Sequence, residues 1–418
     1  MPKPPVSASA AISAGQPTGY PPDLPDQMTN HYSTTRLGNS PRTAQLPWRR
    51  LELLVAAVCL ALTATPALAL DARGGQFIGF KTFSDFERTA GAHRGEIVLT
   101  SPQILARINW DELIASWNAE TPEGAYLKIE ARAIYPAGPT KYYVMGLWSA
   151  NPSRYPRESV LHQKDADGDV ATDTLMLERP CDRLQIRLTL GGGHNLKPKL
   201  KFLCLDLTDT RVTPPSLPSN LAALGRTLPV PQRSQMAYTN GSVLCSPTTV
   251  SMIMSFWSRQ LKRPELDHDV PDIVKAIYDA KWKGTGNWPF NTAYAGSFRG
   301  IQGYVTRMTD LAEVEDWIAA GIPVALSVCS DRLHHRGPGP NGHLIVCVGF
   351  TENGDPLVND PVSSRNIRRV YPRKDIIYAW SYSRNAVYLI YPEDSEIPKD
   401  RFGHWDSWTA RQRVALDR

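Results

Sequence analysis

Long apolar runs are almost missing from this chain. The longest, Leu51–Ala64, spans about 14 residues, short for a bilayer span, so a multi-span membrane protein is excluded. The pattern Gly-x-x-x-x-Gly-Lys-Ser/Thr is missing too, which excludes a P-loop nucleotide site. Lys and Arg exceed Asp and Glu by only 5, the sequence pI is near 8.8, and the excess is spread along the chain. No basic block is dense enough to grip a nucleic-acid backbone, and no nucleic-acid partner is expected. Cysteine is scarce, with six in 418 residues, and no spacing among Cys and His resembles a zinc site. No cofactor or metal is implied, and no internal repeat is visible.

What is present begins with a tail that has no hydrophobic periodicity. Residues 1–47 are rich in Pro, Ser, Thr and Gly, a composition that cannot bury a core and is expected to be disordered. Arg49-Arg50 then precede the apolar run, and Pro66-Ala67-Leu68-Ala69 closes it. A basic start, a short apolar centre and a small-x-small end predict a signal peptide over 48–69, cleaved after Ala69. An uncleaved anchor is the alternative. The 48 residues before Arg49 are long for such a signal and suggest a translation start at Met28. Export to the periplasm or the exterior of a bacterium is expected, with no membrane span in the mature chain.

Export changes the reading of the cysteines. Cys59 leaves with the signal, and Cys181, Cys204, Cys245, Cys329 and Cys347 remain. An odd number in an exported chain leaves one thiol unpaired. Cys181 with Cys204, and Cys329 with Cys347, are the expected disulfides, which leaves Cys245 free.

Residues 71–210 read as an all-β unit. Strands are expected at 126–134, 142–148, 174–177, 183–190 and 199–207. Leu184, Ile186, Leu188 and Leu190 alternate with polar residues, which puts them on one face. Short strands separated by turns suggest an antiparallel sandwich. The segment Asp165–Asp169 resembles a calcium loop without its distal Glu, so it is read as a hairpin turn. Four prolines mark 211–229 as a linker. Residues 230–392 follow as an α+β unit, and 393–418 as a tail. Val250, Ile253, Met254 and Trp257 recur at helical spacing within 246–257; further helices are expected at 270–280 and 312–320. Strands are expected at 323–328, 344–350, 356–358 and 386–391.

The chemistry-bearing residues fall in this last unit. Cys245 stands just before a helix that has Pro247 in its first turn. A helix N-terminus favours a thiolate, the nucleophilic form of cysteine. His343 follows the Gly/Pro loop 337–342 and opens an apolar strand. Asp360 ends the next strand. A two-residue turn at Asn353-Gly354 places Asp360 opposite Cys347, on the face that His343 shares but four residues away. An Asp–His contact then needs twist, a bulge or a longer turn. His334 and His335 are expected to be solvated.

The pieces Val230-Pro-Gln-Arg-Ser-Gln235, Cys245-Ser-Pro-Thr-Thr-Val-Ser-Met, Gly286-Asn-Trp-Pro-Phe-Asn-Thr-Ala-Tyr-Ala-Gly, Gly321-Ile-Pro-Val, Gly342-His343-Leu-Ile-Val and Asn359-Asp360-Pro361 together resemble the bacteriocin leader (double-glycine) peptidases. More narrowly, the region is similar to their secreted relatives within the papain-like cysteine peptidases. The resemblance implies a papain-like fold, with Cys245 as nucleophile, His343 as base, Asp360 orienting the imidazole, and Gln235 as oxyanion donor. Gln235 lies farther from the cysteine than the pattern usually has it, and Gln232 is its rival. Trp288 and Asn291 match the family motif as cleft residues.

A peptide or protein substrate is implied, cell-wall peptide included. Three functions remain open: a peptidase, a cell-wall amidase or transpeptidase using the same triad, and a surface-binding protein on an inactive scaffold. Oligomeric state is not readable from the sequence.

Overall fold

A computed structural model describes residues 74–193 and 196–407. The expected disordered tail, the signal peptide with Cys59, and the end of the C-terminal tail lie outside the described residues. Among the described residues no helix is long and apolar enough to cross a membrane.

The first half is all β. It contains β1 (Gly75–Phe80), β2 (Glu87–Ala90), β3 (Ile97–Thr100), β4 (Ile104–Glu120), β5 (Ala125–Tyr135), β6 (Gly138–Pro139), β7 (Tyr143–Ser149), β8 (Gly168–Ala171), β9 (Thr174–Gly192) and β10 (Lys199–Thr208). The alternation in β9 is borne out, since Leu184, Ile186, Leu188 and Leu190 are all buried. The sandwich of two separate sheets is not. Two of its expected strands are one 19-residue strand, β9. That strand pairs with β4 and β8 near its start and with β3 and β5 toward its end. The layers are therefore one branched, continuous sheet. The turn at Asp165–Asp169 leads into β8: Asp165 Oδ1 accepts the Asp167 and Gly168 N–H groups at 2.9 and 3.1 Å.

The second half carries α1 (Cys245–Leu261), α2 (Val270–Ile277), α3 (Trp288–Ser297), α4 (Leu311–Ala319), α5 (Ser330–Leu333) and α6 (Arg373–Trp380). Its strands are β11 (Ile301–Arg307), β12 (Val324–Cys329), β13 (Gly342–Phe350), β14 (Pro356–Asn359), β15 (Arg368–Val370) and β16 (Ala386–Pro392). They form a six-stranded sheet in the order β11-β16-β12-β13-β14-β15, with every pairing antiparallel. A last strand, β17 (Trp405–Ser407), returns to the first sheet and pairs in parallel with β1.

The edge strand β11 is closed by side chains of the first half. Asn118 Nδ2 donates to the Gly303 carbonyl at 2.6 Å and Asn118 Oδ1 accepts the Gly303 N–H at 3.1 Å. Ser116 Oγ accepts from Val305 N at 3.0 Å, and Asp206 Oδ1 accepts from Arg307 N at 3.0 Å. An open edge would otherwise be a template for aggregation.

The expected disulfides are not formed; all five described cysteines are free thiols. Cys204 pairs with Ser116 and Cys181 with Trp110, on opposite sides of β4. Six residues along a strand is roughly 20 Å, against the ~7 Å limit on Cα separation in a disulfide. Cys329 pairs with Gly342, so it stands five residues along β13 from Cys347, about 17 Å away. Proximity in sequence misled, because antiparallel pairing sets the register.

Candidate active site

The helix α1 begins on Cys245 itself, with Leu244 as the preceding cap residue. Apart from the half-buried Cys245, its first three turns are buried on every side, so the helix is a central core element rather than a surface one. Thr249 Oγ1 donates to the Leu344 carbonyl at 3.2 Å and fastens the first turns to β13. This brings Cys245 beside His343, close enough for the imidazole to act on the sulfur.

The hairpin between β13 and β14 differs from the expected one in two ways. Thr351 N donates to the Asp355 carbonyl at 2.9 Å, so the turn is one residue longer, with Gly354 at φ +83°. A bulge also lies between Cys347 and Gly349, after which Val346 pairs with Asn359. The spare residue, Val348, gives its carbonyl to Leu228 N at 2.7 Å. Extending this register sets Asp360 opposite Ile345 instead of Cys347. That is two residues from His343, still on its face, and the gap closes.

His343 Nε2 and Asp360 Oδ1 are 2.8 Å apart. Both groups are buried, at 4 % and 0 % exposure. Oδ1 also accepts the Val362 N–H at 3.1 Å. With Nε2 on the carboxylate, Nδ1 is the ring nitrogen left for the sulfur. Burial works against an imidazolium, but the bonds to Asp360 and Cys245 outweigh it and lift His343 to about 9. Burial likewise opposes a charged Cys245, yet the hydrogen bond and charge of His343 hold the thiol below its ordinary range. Asp360 is held far below the carboxylate range, because its hydrogen bonds overcome burial. The cluster thus favours thiolate, imidazolium and carboxylate together.

Asn359 draws the upstream segment in. Its Nδ2 donates to the Val230 and Pro231 carbonyls at 3.3 and 3.1 Å. Gln235 N then donates to the Pro361 carbonyl at 2.9 Å. Gln235 is buried, and its Nε2 donates to the Gly241 carbonyl at 2.7 Å. One of the two amide hydrogens remains, and Oε1 is a buried atom without a partner. Gln232 is exposed and accepts from Arg368 N at 3.1 Å.

One expected site residue is placed differently. Asn291 is no cleft residue: it is fully buried, and its Nδ2 donates to the Thr285 and Asn287 carbonyls, both at 2.8 Å. Its work is to pin the turn that precedes α3. Trp288 is half-buried at the start of α3, where its N–H donates to Asp173 Oδ2 of the first half at 2.8 Å.

His334 is not solvated as expected. Its Nε2 lies 3.6 Å from Asp360 Oδ2. Tyr371, which the sequence reading passed over, donates its hydroxyl to the same oxygen at 2.6 Å. No local pattern marks Tyr371; only the return of β15 beside β14 brings it near. His335 is exposed and pairs with Asp375 at 3.2 Å.

Comparisons with known proteins fall on both halves. Residues 71–205 match the model of the peptidase C39 N-terminal domain, and residues 227–388 match the model of the peptidase C39-like family. Among solved structures, one described as a "putative C39-like peptidase from Bacillus anthracis" is 14% identical. It covers 39% of this chain and 96% of its own, with a TM-score of 0.31. No curated protein matches.

Proposed function

The chain belongs to the C39-like peptidase family through residues 227–388, and from that premise we propose that it is an exported cysteine peptidase of papain-like fold. The observation that carries this reading is the buried contact of His343 with Asp360 at the mouth of the helix that starts on Cys245.

In this reading the Cys245 thiolate attacks the carbonyl carbon of a peptide bond. The developing oxyanion is met by the Cys245 backbone N–H, which has no partner within its helix, and by the remaining amide hydrogen of Gln235. One such donor contributes about 3 kcal/mol at the transition state. The protonated His343 gives its Nδ1 proton to the departing amine. It then takes a proton from water as the thioester is hydrolysed. Asp360, accepting from Nε2–H, keeps that tautomer in place and the ring aimed at sulfur.

The test is incubation of the purified protein with casein and with muropeptides, products being read by mass spectrometry. Cleavage by the wild type, lost in a folded Cys245→Ala variant, is the expected outcome. New peptide cross-links instead of hydrolysis products would identify a transpeptidase. Cleavage that survives in the variant would end the assignment.

A further inference from the structure

The triad uses one oxygen of Asp360; the other is also fully engaged. Tyr371 donates to Oδ2 at 2.6 Å, and His334 Nε2 stands 3.6 Å from Oδ2 and 3.3 Å from the Tyr371 hydroxyl. The other ring nitrogen of His334, Nδ1, lies 2.8 Å from the Ser330 carbonyl. A carbonyl only accepts, so Nδ1 carries a hydrogen. The second imidazole is thereby fixed with Nε2 facing the carboxylate. Two histidines then face opposite oxygens of one buried carboxylate, one within hydrogen-bond distance and one just beyond it.

We propose that Tyr371 is a positioning residue, which holds the second oxygen of Asp360 and draws off part of its negative charge, with His334 packed beside both groups. The proposal rests on the triad assignment above. A donor on Oδ2 withdraws charge from the whole carboxylate and so weakens its hold on the His343 imidazolium. Tyr371 does this at every pH below its own ionisation. The groups that face His334 are Asp360, Tyr371 and Ser330. Arg369 reaches the Tyr371 hydroxyl at 3.5 Å, and Arg336 reaches Ser330 Oγ at 3.0 Å. Tyr371 is buried and the His334 side chain is 19% exposed, so solvent reaches the pair from the His334 side.

The experiment is the pH dependence of Cys245 alkylation by iodoacetamide, with full-length Cys245→Ala as the blank. Tyr371→Phe and His334→Asn are compared with the wild type, and melting temperatures are recorded alongside. Tyr371→Phe is expected to move the upper inflection, where His343 loses its proton, to higher pH by about half a unit or more, and His334→Asn to move it less. Stability is expected to change little for His334→Asn. A folded Tyr371→Phe variant whose inflection stays at the wild-type pH overturns the proposal, as does its failure to fold, which would make the hydroxyl purely structural. If wild-type Cys245 is no more reactive than the blank, it is the peptidase reading that fails, and the outcome is distinct.

Discussion

Replacing Asp360 by Asn separates charge from orientation in the cluster. Oδ1 accepts both His343 Nε2 and Val362 N–H. An amide oxygen in its place keeps both bonds. The amide nitrogen then takes the Oδ2 position, where the Tyr371 hydroxyl can rotate to accept and His334 Nε2 offers a lone pair. Only the negative charge is lost. Asp360, first through its hydrogen bond and last through its charge, acts with Cys245 to lift His343 to about 9 from 6.5, a rise worth about 3 kcal/mol at ~1.36 kcal/mol per pH unit. His343 is 4 % exposed, so solvent screening takes little from this figure. With a neutral amide the bond at Oδ1 is no longer charge-assisted and the negative charge is gone, so burial is less opposed and His343 falls to near its ordinary range. At pH 7.5 the imidazolium then falls from nearly all of the molecules to about a tenth of them, and activity falls about tenfold. The upper limb of the pH profile moves down with it. Asp360→Ala removes the orienting bond as well, at ~1.5–3 kcal/mol for a charged hydrogen bond, and is expected to lose a further ~10-fold or more. The assay is peptide hydrolysis across pH 5–10 by both variants, with the imidazole of His343 followed by NMR. An Asn variant with the wild-type profile, or one as weak as the Ala variant, would refute the reasoning.

Two further outcomes follow from geometry elsewhere. Gln235→Ala is expected to lower kcat by about 10²-fold with KM little changed, whereas Gln232→Ala, exposed and bonded to Arg368, stays within about twofold; steady-state kinetics on one substrate decide between them, and the reverse pattern would move the oxyanion role to Gln232. Asn118→Ala leaves both backbone groups of Gly303 unpaired inside the molecule, so urea unfolding is expected to show a loss of about 2–4 kcal/mol, and a loss under ~1 kcal/mol would mean that water replaces the side chain there.

The sequence was most readable where one face of an element is buried and the other is not. β9 alternates and was legible over 183–190; the helix from Cys245 was legible through its start signal and apolar spacing. β4 was not, because residues 113–119 are buried on both faces, which erases the period-two pattern. Tertiary pairing decided the rest. The three residues of the site were legible through their order and motifs, and even the shared face of His343 and Asp360 followed from parity. Their contact did not, since it depends on a one-residue longer turn and a bulge that receives Leu228. Register also defeated the disulfide expectation. Tyr371 and His334 reach Asp360 only through β15 and the turn after β12, and neither carries a local signature. The Pro-rich segment before Val230 looked like a plain linker; in the fold, Thr227 bridges to Gly349, where a Cβ on the glycine would lie 2.1 Å from the Arg226 carbonyl oxygen.

The thiolate–imidazolium pair is the centre of the account, and the rate of Cys245 alkylation at pH 6 relative to pH 8 reads it directly. A thiol of ordinary acidity loses thiolate on acidification, so its rate falls by roughly 10²-fold over that interval. Cys245, its thiol held below the ordinary range by His343, is expected to lose clearly less of its rate than free cysteine does, with the label mapped to that residue alone. A fall as steep as that of free cysteine would contradict the pair and, with it, the catalytic role given to this sulfur.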